Sequence, residues 1–445
     1  MPAYKTPGVY VEEVSTLPPS VAEVSTAIPA FIGYTEKGPK SPSIAEVSTM
    51  LEYEQLFGGP NLATFTVTVD AASQVTGVTR SSDTGFLLYY AVSHYFKNGG
   101  GRCYVVSVGD YASPPAKDKI ADGLLLLEKE DEPTLIVLTD AVSLAAADYH
   151  EVCRAALAQC HKLGDRFAIF DVKKDTAPGK KDIDAFRDEI GTSYLAYGAA
   201  YYPYLQTSLS YAYADAGVTI QGGAATGVTL DTIKSSQTAT YQQVKARLTA
   251  ERVVLPPSAA VAGIYASVDR DRGVWKAPAN VSVAAVIGPV LKITNDAQDA
   301  LNVDPTAGKS INAVRAFTGK GTIVWGARTL AGNDNEWRYI PVRRLFIMIE
   351  ESARKATSFA VFEPNDMTTW LKVKGMIESF LYSLWERGAL AGGSPAAAYF
   401  VNVGLGKTMT NQDILEGRMI VEIGIAAVRP AEFVVLRFSH KLQEA

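Results

Sequence analysis

Residues 98–108 read NGGGRCYVVSV and mark a change from helix to buried strand. The run Asn98-Gly99-Gly100-Gly101 ends a helical pattern over residues 85–97, because glycine readily adopts the conformation that stops a helix. The residues from Arg102 to Val108 are mostly apolar or β-branched, as in a strand. A helix followed at once by an apolar strand is typical of the αβ half of a parallel-sheet unit. The stretch therefore predicts an α/β architecture.

The same alternation extends in both directions from this stretch. Upstream, a strand begins at Ala27 (AIPAFIGYT) and a helix is predicted over 48–57. Between them and the quoted stretch, residues 60–84 alternate in the manner of a surface hairpin. Downstream, the pattern predicts strands at 135–138, 166–172 and 194–202 and helices at 149–163 and 182–190. Residues 206–250 are rich in Thr, Ser, Gly and Ala and show weak periodicity.

The last third has the clearest periodicity. Apolar residues at helical spacing predict a buried helix after Pro341 and a second helix that begins near Asp366 and stops at Gly388. A strand follows at 398–403, and two strand-like segments joined at Arg429-Pro430 end the sequence. Residues 1–27 contain Pro2, Pro7, Pro18 and Pro19, which exclude a long helix, yet residues 8–14 favour a strand.

Both ends of the sequence thus carry strand-like segments. An uncovered strand recruits a neighbour through its free backbone groups. The partner is either the chain's own sheet or another molecule, and the residue pattern alone leaves both open.

Composition excludes several classes of function. A chain of 445 residues predicts two or three domains, and a net charge of −5 offers no basic excess for nucleic acid. The first residues lack the apolar segment of a signal peptide, and no apolar run is long enough to cross a bilayer. Three cysteines are too few for a disulfide framework. We therefore expect the chain to be made and folded in a cytoplasm, without membrane insertion.

Enzyme and ligand patterns are incomplete. Gly191-Thr192-Ser193 and Gly392-Gly393-Ser394 resemble serine-hydrolase strings, but neither is accompanied by a histidine and carboxylate pattern that would form a triad. Cys153 and Cys160 on one helix are about 10 Å apart along its axis, too far for one zinc ion. The phosphate-loop pattern that ends in Gly308-Lys309-Ser310 fails because Val303 stands where its first glycine is needed. We predict no catalytic residue, metal ligand or cofactor.

Several strings, in order along the chain, resemble contractile tail sheath proteins. They are PGVYVEE (7–13), PAFIG (29–33), NGGGRCYVV (98–106), GVWKAPAN (273–280), VWGARTL (324–330), WRYIPVRRL (337–345), GRMIVEIG (417–424) and PAEF (430–433). The resemblance covers both ends of the chain, and residues 110–250 carry little of it. Because this one chain has the marks of both termini, it resembles the phage tail, tailocin and extracellular injection branch.

The resemblance implies an α/β fold with a non-catalytic, subtilisin-like core. It implies an inserted outer domain, an α+β C-terminal sheath domain and extended terminal strand arms. The expected divisions are an N-terminal arm (1–27), a first part of the core (28–109), a variable outer region (110–250), a second part of the core (251–330), a C-terminal sheath domain (331–417) and a C-terminal arm (418–445).

The implied function is that of a structural subunit, not an enzyme. It would polymerise helically around an inner tube and contract to drive that tube through a target envelope. The implied partners are further copies of the chain in sixfold rings, the inner tube protein, and baseplate and terminator proteins. The alternatives are a subtilisin-like hydrolase, which a serine probe on Ser193 or Ser394 would reveal, or another self-assembling surface protein.

In this family the arms complete the sheets of neighbouring subunits, which identifies two sets of candidate residues. The predicted arm contacts are Val9, Tyr10, Val11, Val14, Val421, Ile423, Ile425, Phe433, Val435, Leu436 and Phe438. The predicted inner-tube contacts are Lys372, Lys374, Glu378, Glu386 and Arg387, on the charged face of the helix that begins near Asp366. The links that let the subunits rotate are expected at Pro18-Pro19 and at residues 404–410.

Overall fold

A computed structural model describes residues 21–80, 85–173, 180–223, 226–433 and 435. The strands are β1 (Pro29–Gly33), β2 (Ser43–Val47), β3 (Phe65–Val69), β4 (Val75–Arg80), β5 (Cys103–Ser107), β6 (Leu135–Val137), β7 (Phe167–Asp171), β8 (Gly198–Tyr202), β9 (Leu205–Ser210), β10 (Val218–Gln221), β11 (Arg252–Leu255), β12 (Val281–Ser282), β13 (Val286–Pro289), β14 (Ile311–Phe317), β15 (Gly321–Trp325), β16 (Tyr399–Val403) and β17 (Val421–Ile425).

The helices are α1 (Met50–Phe57), α2 (Leu88–Lys97), α3 (Lys117–Leu127), α4 (Ala146–Leu163), α5 (Lys180–Glu189), α6 (Thr238–Ala250), α7 (Ser258–Arg272), α8 (Asn295–Asn302), α9 (Ile340–Ala356), α10 (Met367–Glu386), α11 (Pro395–Ala398) and α12 (Asn411–Leu415). The quoted stretch of sequence is thus the junction between α2 and β5, where Gly99 adopts a φ of 89°.

A nine-stranded sheet lies at the centre of the larger part of the chain, in the order β12-β15-β14-β8-β7-β6-β1-β5-β2. Its six inner strands, from β14 to β5, run parallel, whereas the outermost pairings are antiparallel. Successive residues of β1 enter two different cores: Ala30 and Ile32 pack with α3 and α4, and Phe31 packs with α2 and α7. Helices therefore cover both faces, which confirms the predicted α/β class.

The predicted outer region 110–250 differs from what the structure shows. Strands β6, β7 and β8 fall inside this range, yet they lie in the middle of the central sheet. They are short and, apart from Asp171 at the end of β7, contain no charged residue. All their residues are buried, which requires helices on both faces of the sheet. The parts of the range that lie off this sheet include β10 and α6, which share a separate core with the hairpin β3–β4.

The described chain divides into two compact units. Unit 1 contains residues 21–24 and Ile349–Val428, and unit 2 contains Ser25–Met348 and the described residues from Arg429 onward. The chain therefore passes between the units three times: after Val24, inside α9 after Met348, and after Val428. The loop 404–410, predicted as a link, instead lies within unit 1. Its turn is closed by hydrogen bonds to the Gly404 carbonyl, and Met409 is buried.

Candidate assembly interface

The sheet formed by β16 and β17 in unit 1 has only two strands within the described chain. The strands pair antiparallel, with Val401 opposite Ile423 and Phe400 opposite Gly424. Helix α10 packs against β16, and Val401 and Val403 are buried. Two strands have two outer edges, and both edges lack a strand neighbour in the described part of the molecule. Such edges bind further strands, so this sheet is the candidate interface.

The apolar side chains of β17 include three of the predicted arm contacts. Val421, Ile423 and Ile425 were predicted as arm contacts, and the structure places them in this sheet, each partly exposed. They are thus paired with β16 of their own chain on one side. Their role toward another subunit stays a prediction.

The last described residues leave unit 1 and are fixed to unit 2. After β17, Ala426 and Val428 donate backbone hydrogen bonds to Ala398 and Ala389 of unit 1. Glu432 then lies in unit 2, where the Arg328 guanidinium donates to its carboxylate through Nε at 2.9 Å and Nη2 at 2.6 Å. Phe433 and Val435, both predicted arm contacts, are 70% and 75% exposed. The predicted contacts Val9, Tyr10, Val11, Val14, Leu436 and Phe438 lie outside the described residues.

Two further groups complete the coordination of the Glu432 carboxylate. Asn302 Nδ2 donates at 2.7 Å and the Tyr339 hydroxyl donates at 3.2 Å. Burial raises the pKa of Glu432, but the hydrogen bonds from Arg328 and its neighbours outweigh burial and hold that pKa below its ordinary value. Sequence reasoning missed this contact. The available signal was a charged residue inside each of two otherwise apolar strings, Arg328 in VWGARTL and Glu432 in PAEF.

The predicted inner-tube contacts lie on α10 and at its C-cap. Lys374, Glu378 and Glu386 follow one another at i, i+4 spacing with Tyr382 between the last two, so they form one stripe. Lys374 pairs with Glu378 at 3.5 Å, and Arg387 pairs with Glu23 at 2.6 Å. Lys372 lies over the Phe359 ring, 5.6 Å from its centroid. These charges already have partners in the chain, so tube contact stays a prediction that nothing in the geometry tests.

Two carboxylates lie at the carboxyl ends of parallel strands, where an α/β enzyme would hold its catalytic groups, and both have structural roles. Asp140 follows β6, and its carboxylate accepts backbone hydrogen bonds from Tyr34, Leu87 and Leu88. Asp171 ends β7 and accepts from the Ser258 backbone N–H at the start of α7. Burial raises the pKa of both carboxyl groups to about 7, against the opposing effect of these donors. Both side chains are buried and join sheet to helix.

The two hydrolase-like serines, Ser193 and Ser394, are exposed. Among the described histidines, His94 contacts the Ala284 carbonyl, His161 stacks on Tyr194, and both ring nitrogens of His150 are buried without a partner. None of these contacts joins a histidine to either serine.

The phosphate-loop-like string is also used internally. Asp304 accepts backbone hydrogen bonds from Thr306, Ala307 and Lys309. The amides that would bind a phosphate in such a loop are thus bound to the chain's own carboxylate. The Lys309 ammonium group is buried and donates to the Arg187 carbonyl.

The described residues contain neither a candidate metal site nor a candidate membrane span. No group of three or more His, Cys, Asp or Glu side chains there is arranged to hold a metal ion. None of the helices in the described ranges is long and apolar enough to cross a membrane.

Comparison with known proteins accounts for the whole length of the chain. A family model described as the phage tail sheath C-terminal domain matches residues 332–441. The tail sheath protein of Vibrio phage KVP40 is 27% identical over 136 residues, which span 31% of this chain but only 20% of that protein.

Two solved structures match at full length. The sheath complex of PVC, an extracellular contractile injection system, in its contracted state is 32% identical, with 99% of both chains covered and a TM-score of 0.68. The helical sheath of the anti-feeding prophage in its contracted state is also 32% identical, with 99% of this chain and 100% of that chain covered and a TM-score of 0.68. The chain therefore belongs to the contractile tail sheath proteins.

Proposed function

We propose that this chain polymerises helically around an inner tube and contracts to drive the tube through a target envelope. The observation that carries the proposal is the full-length match to sheaths of extracellular contractile injection systems. The phage relative is matched over a fifth of its own length, so the injection-system sheaths are the better guide to the whole chain. The particle is a phage tail or phage-tail-like particle assembled in a bacterial cytoplasm.

Strand exchange between subunits supplies the polymer contacts in this proposal. The N-terminal segment 9–14 and the C-terminal segment 433–442 of neighbours add to the free edges of the β16–β17 sheet. Two features support it: both edges lack a partner in the described chain, and Phe433 and Val435 are exposed beside Glu432. Backbone pairing gives affinity with little demand on side-chain detail, so it survives rotation of one subunit against another.

The other predicted partners follow from the same family. We propose sixfold rings of this chain, an inner tube that meets the charged stripe of α10, and baseplate and terminator proteins at the two ends. One matched chain, 32% identical to this one, comes from the structure of the anti-feeding prophage baseplate. The proposal includes neither direct binding of nucleic acid nor insertion into a membrane.

Unit 2 is proposed to be a subtilisin-like core without catalysis, and contraction needs no cofactor. The parallel strands between two helical layers support the first part. The use of Asp140 and Asp171 to cap helices supports a core without catalysis. The variable outer domain is then the part around β3, β4, β10 and α6, which has its own core.

Electron microscopy of the purified chain tests the proposal. The full-length chain should form hollow striated tubes, and a version that ends at Gly417 should not, because it lacks both β17 and the C-terminal arm. A version that lacks residues 1–20 should fail in the same way. Normal tubes from either truncated chain would contradict strand exchange, and labelling of Ser193 or Ser394 by a serine-reactive probe would favour the hydrolase alternative.

A further inference from the structure

The C-terminal segment is fixed to unit 2 immediately before the proposed arm begins. Residues 429–433 follow the last residue of unit 1 and belong to unit 2, and in the described structure Glu432 is their one side chain with a hydrogen bond or ion pair. Its carboxylate is 21% exposed and the Arg328 side chain only 5%. Phe433 and Val435 beyond it are largely exposed. Within the described residues, Glu432 thus anchors the chain immediately before the segment 433–442 that is proposed to pair with a neighbour.

Arg328 is itself rigidly placed, so it can act as a fixed point. Its backbone N–H donates to Asn312 Oδ1 at 2.8 Å, and its carbonyl accepts from Asn312 Nδ2 at 2.8 Å. Asn312 lies on β14, in the central sheet, and is buried. Arg328 Nη1 also donates to the Asn302 carbonyl at 3.1 Å. The bidentate pair with Glu432 therefore connects the terminal segment to the sheet through short, buried bonds.

The N-terminal segment enters unit 2 through a pair of the same kind. Arg344 donates to Asp269 through Nη1 at 3.0 Å and Nη2 at 2.5 Å, and Nη2 also donates to the Thr26 carbonyl at 2.9 Å. The Thr26 hydroxyl donates to Asp269 at 2.6 Å. An arginine–carboxylate pair thus lies in unit 2 within a few residues of each of the two points, after Val24 and after Val428, where the chain enters that unit.

We propose that Arg328 and Glu432 form a clamp that fixes the point from which the C-terminal arm leaves the body of the subunit. This inference rests on the proposed sheath function and adds a positioning role to it. An arm that pairs with a neighbour can transmit the motion of its own subunit only if the residues that attach it to that subunit stay in place. Without the clamp, the five residues 429–433, at about 3.3 Å each, would form a free tether up to roughly 16 Å long in every link between subunits.

The test compares Glu432→Ala and Glu432→Gln with Asp165→Ala. Asp165 forms another buried ion pair of unit 2, with Arg166 at 2.7 Å, so its removal controls for the general loss of a buried charge. Arg166 contacts the carbonyls of Leu127 and Glu130, not the terminal segment. Each full-length variant carries a nitroxide spin label at Ala431→Cys, an exposed position in a chain whose own cysteines are buried. The mobility of the label is measured by electron spin resonance, and sheaths in their contracted state are compared by electron microscopy.

The expected result is specific to the clamp. In Glu432→Ala the spectrum of the label should lose its immobile component, since the hydrogen-bonded charge pair that holds the segment is lost. Its sheaths should still form but contract to a broad range of lengths. Glu432→Gln should show a smaller change of the same kind. Asp165→Ala should match wild type in both measurements, even where its melting temperature falls.

Two outcomes would overturn the clamp: wild-type mobility of the label at residue 431 in Glu432→Ala, or uniform contracted lengths in that variant. If the wild-type chain itself formed no sheaths, the proposed function would fail. The spin-label measurement would still decide whether Arg328 anchors the terminal segment.

Discussion

The pair formed by Arg344 and Asp269 gives the sharpest stability prediction. Their side chains are 3% and 6% exposed, and the guanidinium also lies 4.5 Å from the centroid of the Tyr265 ring. Asp269→Leu leaves a buried cation without its counter-ion, which costs roughly 3–5 kcal/mol. The hydrogen bond from Thr26 is lost as well, and Ser25–Ile28 should exchange faster.

The expected shift in melting temperature follows from the size of unit 2, which contains about 340 residues. At about 2.1 cal/mol/K per residue, its entropy of unfolding is about 0.7 kcal/mol/K, so the loss corresponds to a shift of roughly 4–7 °C. Arg344→Met should cost a similar amount, because it leaves a buried carboxylate unpaired. The double variant Asp269→Leu/Arg344→Met removes both charges and should lie within about 2 kcal/mol of wild type.

Scanning calorimetry of the unassembled subunit measures all four proteins. The two single changes should not be additive: the double variant should be more stable than their sum by at least about 2 kcal/mol. Additive losses would refute the reasoning, because they would mean that the two side chains stabilise unit 2 independently.

Three further predictions test other parts of the structure. Gly38→Ala should destabilise unit 2 by about 1–3 kcal/mol in the same calorimetric assay, because a Cβ there would lie 1.9 Å from the Gly109 carbonyl oxygen; a wild-type melting temperature would contradict it. The clamp should resist acid: the folded pKa of Glu432 is lowered, so its stabilisation is present above the unfolded value of about 4.3 and is lost only as pH falls through the folded value. The mobility of a spin label at Ala431→Cys should therefore be equal at pH 8 and pH 5.5, and a large rise at pH 5.5 would exclude the ion pair. If α10 meets the tube, Lys374→Glu should weaken co-sedimentation of sheath with tube while the neutral Lys374→Gln has a smaller effect; unchanged binding in both would remove this helix from the interface.

Local patterns in the sequence identified many of the secondary-structure elements. Asp366 is the N-cap of α10, its carboxylate accepts from the Thr369 amide, and Gly388 follows the helix with a φ of 80°. Such features depend on neighbours a few residues away, so they can be read directly. Met367 shows where this reading fails. It fits the apolar stripe of α10 by spacing, yet it is 67% exposed, because it lies in the first turn, where the stripe is not covered.

The sequence by itself determined the alternation of helix and strand around residues 98–108 and the strand character of the chain's C-terminal region. Both follow from the short-range periodicity of apolar residues and from glycine and proline. Only the tertiary structure decided that β6, β7 and β8 lie at the centre of the sheet and that Glu432 meets Arg328. Strand order and ion pairing join residues far apart in the chain. Arg328 and Glu432 are 104 positions apart, and no local pattern specifies which distant carboxylate a buried arginine will bind.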